Sequence, residues 1–366
     1  MDALKNFLHK EWLLFVSVAT VAAFWHWGRE IFAGLSNPLW LAFVFIWLFS
    51  VVLASALAVV RHADALAERL GEPYGTLILT LSVTAVEVMS ISAVMLHGAN
   101  NPTLVLDTLF AVVMIILNGM VGLSLLVGGL RHAEQHYNLQ GANAFLGVII
   151  PLAVFSLIMP DFTQTTPGPR LSAHQQIFLI VMSAGLYCAF LVIQTGRHRG
   201  FFTLGDEPIE HFAKVREPIF PHAVLLLAYM IPVVSLAEKL AHPIDYLVET
   251  QHFPDALGGL VIALLVATPE ALGAAKAAMR NHLQRSMNIF LGSVLSTIGL
   301  TIPAMIVMSH ITGRGLDLGL EHTDFVMLLL TLGVSVVTFA SGRTNILQGI
   351  VHLLLFLSYV LLLIEG

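Results

Sequence analysis

Charge is scarce in this chain. Of 366 residues, 11% are Asp, Glu, Lys or Arg, where soluble domains carry about a quarter. Too little charge is present to solvate the surface of two or three water-soluble domains, which the length alone would suggest. Basic excess is also lacking: the formal net charge is −6, and the charges are dispersed between apolar runs, so no nucleic-acid partner is expected. Cysteine is nearly absent. The single Cys188 excludes an intrachain disulfide or a cysteine zinc site, and its apolar surroundings predict a small packed hydrophobe. No Gly-x-x-x-x-Gly-Lys or His-Glu-x-x-His stretch occurs, so neither nucleotide-driven transport nor zincin-type hydrolysis has its usual motif. The first apolar run, Trp12 to Trp27, has few basic residues before it and no clear small-x-small cleavage site after it, and is expected to be a retained helix.

Apolar residues fill the space that charge vacates, at 57% of the chain. They fall into eleven stretches, 12–34, 38–60, 75–97, 103–130, 142–160, 174–196, 222–240, 255–279, 286–309, 323–340 and 345–364. Each approaches the roughly 20 residues that span a hydrocarbon core. The reading is an all-α polytopic membrane protein of about eleven transmembrane helices, with the lipid bilayer as its partner. Turn chemistry such as Ser36-Asn37-Pro38, Thr166-Pro167-Gly168-Pro169 and Ser341-Gly342-Arg343 separates the stretches. Trp12, Trp25, Trp27, Trp40 and Trp47 fall mainly near helix ends, as an interfacial belt does.

With a cytoplasmic N-terminus, thirteen of the 17 basic residues lie on the inner side and Arg29, Arg170, Lys239 and Arg314 lie outside. That bias supports a cytoplasmic N-terminus and a periplasmic C-terminus. The longest polar interruption, Arg197 to Pro221, carries Asp206, Glu207, Glu210 and Glu217. It divides the chain into an extra helix over 1–35, a five-helix repeat over 36–196, a cytoplasmic connector over 197–221 and a second five-helix repeat over 222–366.

The halves share chemistry. The third stretch holds Ser82, Thr84 and Glu87; the eighth holds Thr268, Pro269 and Glu270. Five passes separate the two, so they cross in opposite senses, as inverted-topology repeats do around a midplane site. The stretches that follow carry Asn118 and Ser124 in one half and Asn288, Gly292, Ser293 and Ser296 in the other.

Glu87 and Glu270 are the two acidic residues set well inside apolar stretches; Asp107, Glu238 and Asp324 sit closer to ends. A carboxylate taken from water costs several kcal/mol, so its place there calls for a function. Carboxylate oxygens are hard ligands for Ca²⁺ or Na⁺, and a desolvated carboxyl also takes protons. A site that holds a cation or protons, but not both, is the elementary requirement of antiport. Thr84, Thr268, Asn118, Ser293 and Ser296 are the candidate co-ligands of Glu87 and Glu270, with Ser82, Pro269, Asn288 and Gly292 in support. Pro269 withdraws one backbone donor and so releases a carbonyl near Glu270. His132 and His136 read as solvated loop residues, the clustered loop histidines as candidate reporters of pH, and His352 as a satisfied packing histidine.

Around Thr84-Ala85-Val86-Glu87, Ala267-Thr268-Pro269-Glu270, Gly128 to Asn138 and Gly292 to Ser296, the sequence resembles the calcium/cation antiporter superfamily in its cation/proton exchanger branch. The resemblance implies export of cytoplasmic Ca²⁺, Na⁺ or K⁺ in exchange for H⁺, with both glutamates essential, no cofactor, and a bacterial inner membrane as the location. Many members place Gly-Asn just before the glutamate, where this chain has Thr84-Ala85 and Thr268-Pro269; loss of that amide favours Na⁺ or K⁺ over strict Ca²⁺ selectivity. The inter-half loop is also less acidic than in some members. A cation channel and an intramembrane enzyme are the alternatives, separated by coupling and by turnover. The oligomeric state, homo-oligomer included, is left open.

Overall fold

A computed structural model describes residues 9–70, 74–97, 102–204 and 219–365, with the side chains of 74–76 excepted. Asp206, Glu207, Glu210 and Glu217 lie outside the described residues. Eleven helical passes are present among those described: α1 Trp12–Ala33, α2 Pro38–Leu70, α3 Tyr74–Met95, α4 Leu104–Arg131, α5 Leu139–Phe162, α6 Ala173–Thr195, α7 Ile219–Thr250, α8 Ala256–Met279, α9 Leu283–Thr312, α10 His322–Thr338 and α11 Ile346–Glu365. Nine of them are long and apolar enough to cross a membrane. α10 is shorter, and the polar Trp25-His26-Trp27-Gly28-Arg29 stretch dilutes α1. One two-residue antiparallel pair, β1 Gln135–His136 with β2 Arg343–Thr344, joins two loops.

Local chemistry sets several helix starts. Ser172 and Gln175 form a capping box at α6, and Asn138 accepts from the Gln140 N–H at α5. Two apolar runs understate their helices: α2 continues to Leu70 and α7 to Thr250. Beyond its uniformly apolar stretch α2 becomes one-sided, burying His62, Ala63 and Leu66, and such a face extends a helix past the bilayer without extending the hydropathy run. Glu238 consequently lies within α7 rather than near its end, paired with Lys239 at 3.0 Å.

The chain forms two compact units, residues 1–99 with 216–258, and residues 100–215 with 259–366. In the first, α2 packs on α7 and α3, and α1 on α2 and α7. Ser17 and Ser55 share a hydrogen bond of 2.8 Å between α1 and α2. In the second, α4 and α9 are the most enclosed passes, 78% of their apolar windows being buried, against 22% for α6 and α11. Exposed side chains such as Val192, Val337 and Ile364 show that the outer faces are apolar, as hydrocarbon solvent permits. Cys188 belongs to this pattern: it is exposed on α6, not packed, because α6 presents most of its surface outward.

Small residues close the second unit. A Cβ on Gly122 would stand 2.8 Å from the Leu353 nitrogen, and one on Gly349 2.6 Å from the Leu126 nitrogen, so α4 and α11 meet backbone to backbone. A Cβ on Gly259 would stand 2.6 Å from the Thr108 nitrogen, which brings α8 against the start of α4. An extended segment before α10 is tied down by Leu320 N–H to the Leu157 carbonyl at 3.0 Å and by an ion pair of Arg170 with Asp317. Asp317 beside it holds the Arg170 guanidinium above its ordinary value.

Candidate functional site

Each unit carries one of the two glutamates. In the first unit, Glu87 lies in the middle of α3 and is 2% exposed. Thr84, one turn earlier and on the same face, is also buried. Its hydroxyl oxygen has no hydrogen-bond partner among the described residues. An orphaned hydroxyl beside a buried carboxylate costs stability and is the arrangement an oxygen-seeking cation would complete. Ser82 is buried on the same helix.

In the second unit, Glu270 is half-buried on α8. The Ser293 hydroxyl of α9 donates to its Oε2. Ser296 donates to the Ser293 carbonyl at 2.9 Å, which fixes the turn that presents Ser293. Thr268 donates to the Leu264 carbonyl one turn back, and Pro269 lies inside the helix, where it leaves the Leu265 carbonyl without its N–H donor. Glu270, Ser293 and Ser296 are thus brought together, with a released carbonyl one turn from the carboxylate. Gly292 leaves room beside Phe145, whose ring would be 3.8 Å from an added Cβ.

Two residues are placed differently. Asn288 donates to the Phe202 carbonyl at 2.8 Å and accepts from Gln284 at 3.0 Å, so its amide anchors the turn at Arg199–Phe202. Asn118 is fully buried in a π-helical stretch of α4, Ile115–Met120. Its Nδ2 donates to Thr331 at 2.8 Å, and its Oδ1 faces His352 Nδ1 at 3.3 Å. His352 Nε2 meets the Thr338 hydroxyl at 2.9 Å. The packing histidine expected at 352 is satisfied on both nitrogens, and Asn118 is the residue that satisfies one of them. Sequence reading missed Thr331 and Thr338; their spacing with Ser335, four and then three residues along α10, was the available signal. Replacing Asn118 by Ala and His352 by Leu, singly and together, will lower the melting temperature non-additively, with a coupling of about 1–2 kcal/mol for shared buried bonds. Additive losses in a thermal-shift assay would sink the network.

α4 and α9 both contain a π-helical stretch, Ile115–Met120 and Thr297–Thr301. Such turns leave a carbonyl out of the regular ladder and occur often at functional sites. No group of three or more His, Cys, Asp or Glu able to hold a metal ion is present among the described residues. The oxygen sets around the glutamates are of the mixed hydroxyl, carbonyl and carboxylate kind that suits a hard cation passing through as cargo.

Comparison with known proteins places the chain among transporters. The family described as sodium/calcium exchanger protein matches residues 40–196 and 221–365. The sodium-potassium/proton antiporter ChaA of Escherichia coli (strain K12) is 38% identical over 359 residues, 96% of each chain. A putative ionic transporter, y4hA, of Sinorhizobium fredii is 43% identical over 83% of this chain and 84% of its own. Among solved structures, the Ca²⁺/H⁺ antiporter protein YfkE superposes with a TM-score of 0.72 at 19% identity, covering 96% of this chain and 99% of that one.

Proposed function

The chain belongs to the sodium/calcium exchanger protein family, and from that premise we propose that it moves Na⁺, K⁺ or Ca²⁺ out of the cytoplasm in exchange for H⁺, using Glu87 and Glu270 as alternating cation and proton sites. It is a cation/proton antiporter of that family, a transporter and not an enzyme. The observation that carries the finer reading is the pair of intramembrane carboxylates. Each stands on the second helix of its family-matched stretch, at closely similar distances from the stretch's start. Each has a buried hydroxyl neighbour, Thr84 for Glu87 and Ser293 for Glu270. This correspondence of the two glutamates supports reading the chain as an extra helix followed by two repeats of opposite sense.

In this mechanism a deprotonated glutamate takes a cation on the cytoplasmic side, and protonation on the far side discharges it. The hydroxyls and freed carbonyls substitute for lost water. Motion of the flanking helices alternates access, and the inward proton gradient resets the carboxyls. The inner membrane of a bacterium, with the basic-rich loops inside, is the setting this requires.

The test is proton movement in inside-out vesicles acidified by respiration. Adding NaCl, KCl or CaCl₂ should collapse the pH gradient in vesicles containing the protein, in an order that ranks the cations. A gradient untouched by all three, with folded protein present, would refute antiport. A channel would be shown instead by failure of an imposed cation gradient to drive protons uphill.

A further inference from the structure

The first unit contains a second set of ionisable side chains that the glutamate mechanism does not use. His62 of α2 is 1% exposed, and Glu11, just before α1, is 2% exposed. Glu11 Oε2 accepts from Arg61 Nη2 at 2.6 Å and from the Tyr229 hydroxyl of α7 at 2.9 Å. The same oxygen lies 3.5 Å from His62 Nε2. On its other side His62 Nδ1 meets Nδ1 of His222, on α7, at 2.9 Å. One carboxylate, one guanidinium, one phenol and two imidazoles therefore tie α1, α2 and α7 together at a single end of this unit. Lys10 and Asp64, their neighbours in the sequence, and His222 each make a further interaction. α3, which also packs on α2 and α7, has Glu87 as its one charged side chain.

His222, which is only half-buried, opens the pair to protons. α2 has 33 residues, about 50 Å at 1.5 Å per residue, where a hydrocarbon core is about 30 Å thick. Its last turns, His62 among them, therefore pass beyond the apolar layer on the side where Lys10, Arg61 and Arg69 lie.

The contact between the imidazoles has a strict proton count. Two nitrogens 2.9 Å apart form a hydrogen bond when one carries hydrogen and the other a lone pair. The neutral pair meets this requirement. One added proton leaves it intact: an imidazolium at His62 still donates from Nδ1 to His222, while its Nε2 gives up the Arg61 Nη2 N–H at 3.3 Å and donates toward Glu11 instead. A second proton does not: both Nδ1 atoms then carry hydrogen, two N–H groups face each other, and two positive charges adjoin Arg61.

We propose that His62 and His222 form a proton-binding site outside the glutamate helices, which holds α2 to α7 with up to one added proton and releases them on binding the second. Its ligand is H⁺ from the basic-rich side. Release frees the ends of helices that pack on the Glu87 helix, so proton load on that side alters the mobility of this unit without touching the cation ligands.

The experiment measures the separation of the two helix ends directly. Spin labels at Arg69→Cys on α2 and Phe220→Cys on α7, in a Cys188→Ser background, occupy exposed positions. Their distance distribution should be unchanged at pH 8 and 7 and should lengthen and broaden between pH 6 and 5, within the span where imidazole titrates. With His222→Gln added, a neutral amide replaces the titrating partner and the distribution should stay the same throughout. An acid-insensitive distribution in the parent, or the same acid response in the His222→Gln protein, overturns the proposal. The second outcome also identifies general acid unfolding, which any variant would share. Because no transport is measured, this result fails or stands independently of the antiport reading.

Discussion

Glutamine at position 87 or at position 270 will abolish cation-dependent proton movement, with each protein still folded and inserted. Glutamine matches glutamate in shape and keeps an oxygen, so packing around α3 and α8 is preserved. It loses the negative charge and the titration together. A cation entering a low-dielectric site without its counter-charge meets a penalty of about 3 kcal/mol even on lenient insertion scales, and each 1.4 kcal/mol is tenfold in affinity. The expected loss is therefore at least about 100-fold, below detection in a vesicle assay. Proton coupling disappears by a second route, since an amide does not exchange protons at these pH values. Aspartate at either position keeps the charge but withdraws the oxygens by one methylene, and should leave measurable exchange with weakened cation affinity. The assay is gradient collapse by NaCl, KCl and CaCl₂, normalised to folded protein by size-exclusion chromatography in detergent. Wild-type exchange in either glutamine variant would remove that glutamate from the mechanism.

Much of this architecture was legible in the sequence because hydrocarbon imposes a simple code. A helix crossing a membrane must be apolar over a fixed length, so each of the eleven apolar runs found its helix. What the code does not record is what happens where lipid ends. The last turns of α2 and α7 are no longer uniformly apolar, and Glu11, Arg61 and His62 lie just outside the apolar stretches, so that their cluster with His222 and Tyr229 at the start of α7 leaves no trace in hydropathy. Nor does it record which polar side chains satisfy one another. Asn118 and Asn288 were grouped with the glutamates by residue type. Their amides instead bond Thr331 and His352 in one case, and Phe202 and Gln284 in the other. A buried amide must find partners on several sides, and sequence spacing cannot say whether these are ions or neighbouring helices. The contact of Ser293 with Glu270 was readable: Ser293 lies in a small-residue stretch of α9, and a short hydroxyl there reaches a carboxylate on the adjoining helix.

That hydroxyl gives the second large effect. Ser293→Ala removes the donor to Glu270 Oε2 and removes one oxygen from the candidate cation shell. A hydrogen bond to a charged group contributes about 1.5–3 kcal/mol, which corresponds to roughly 10–100-fold in half-saturating cation concentration. The maximal rate should fall less, because both carboxylates remain. Ser293→Thr restores the hydroxyl and should recover most of the affinity. The 7% exposure of Ser293 limits the space for the extra methyl, so recovery is expected to be incomplete. Alanine at Ser296 is the internal control. It breaks the bond to the Ser293 carbonyl while leaving the Ser293 hydroxyl in place, so its effect should be several-fold at most. Cation titrations of gradient collapse for the three variants measure this ordering. If Ser293→Ala binds cations as tightly as the parent, Ser293 serves only to anchor the Glu270 side chain, and the coordination shell on α9 has to be sought elsewhere along its π-helical stretch.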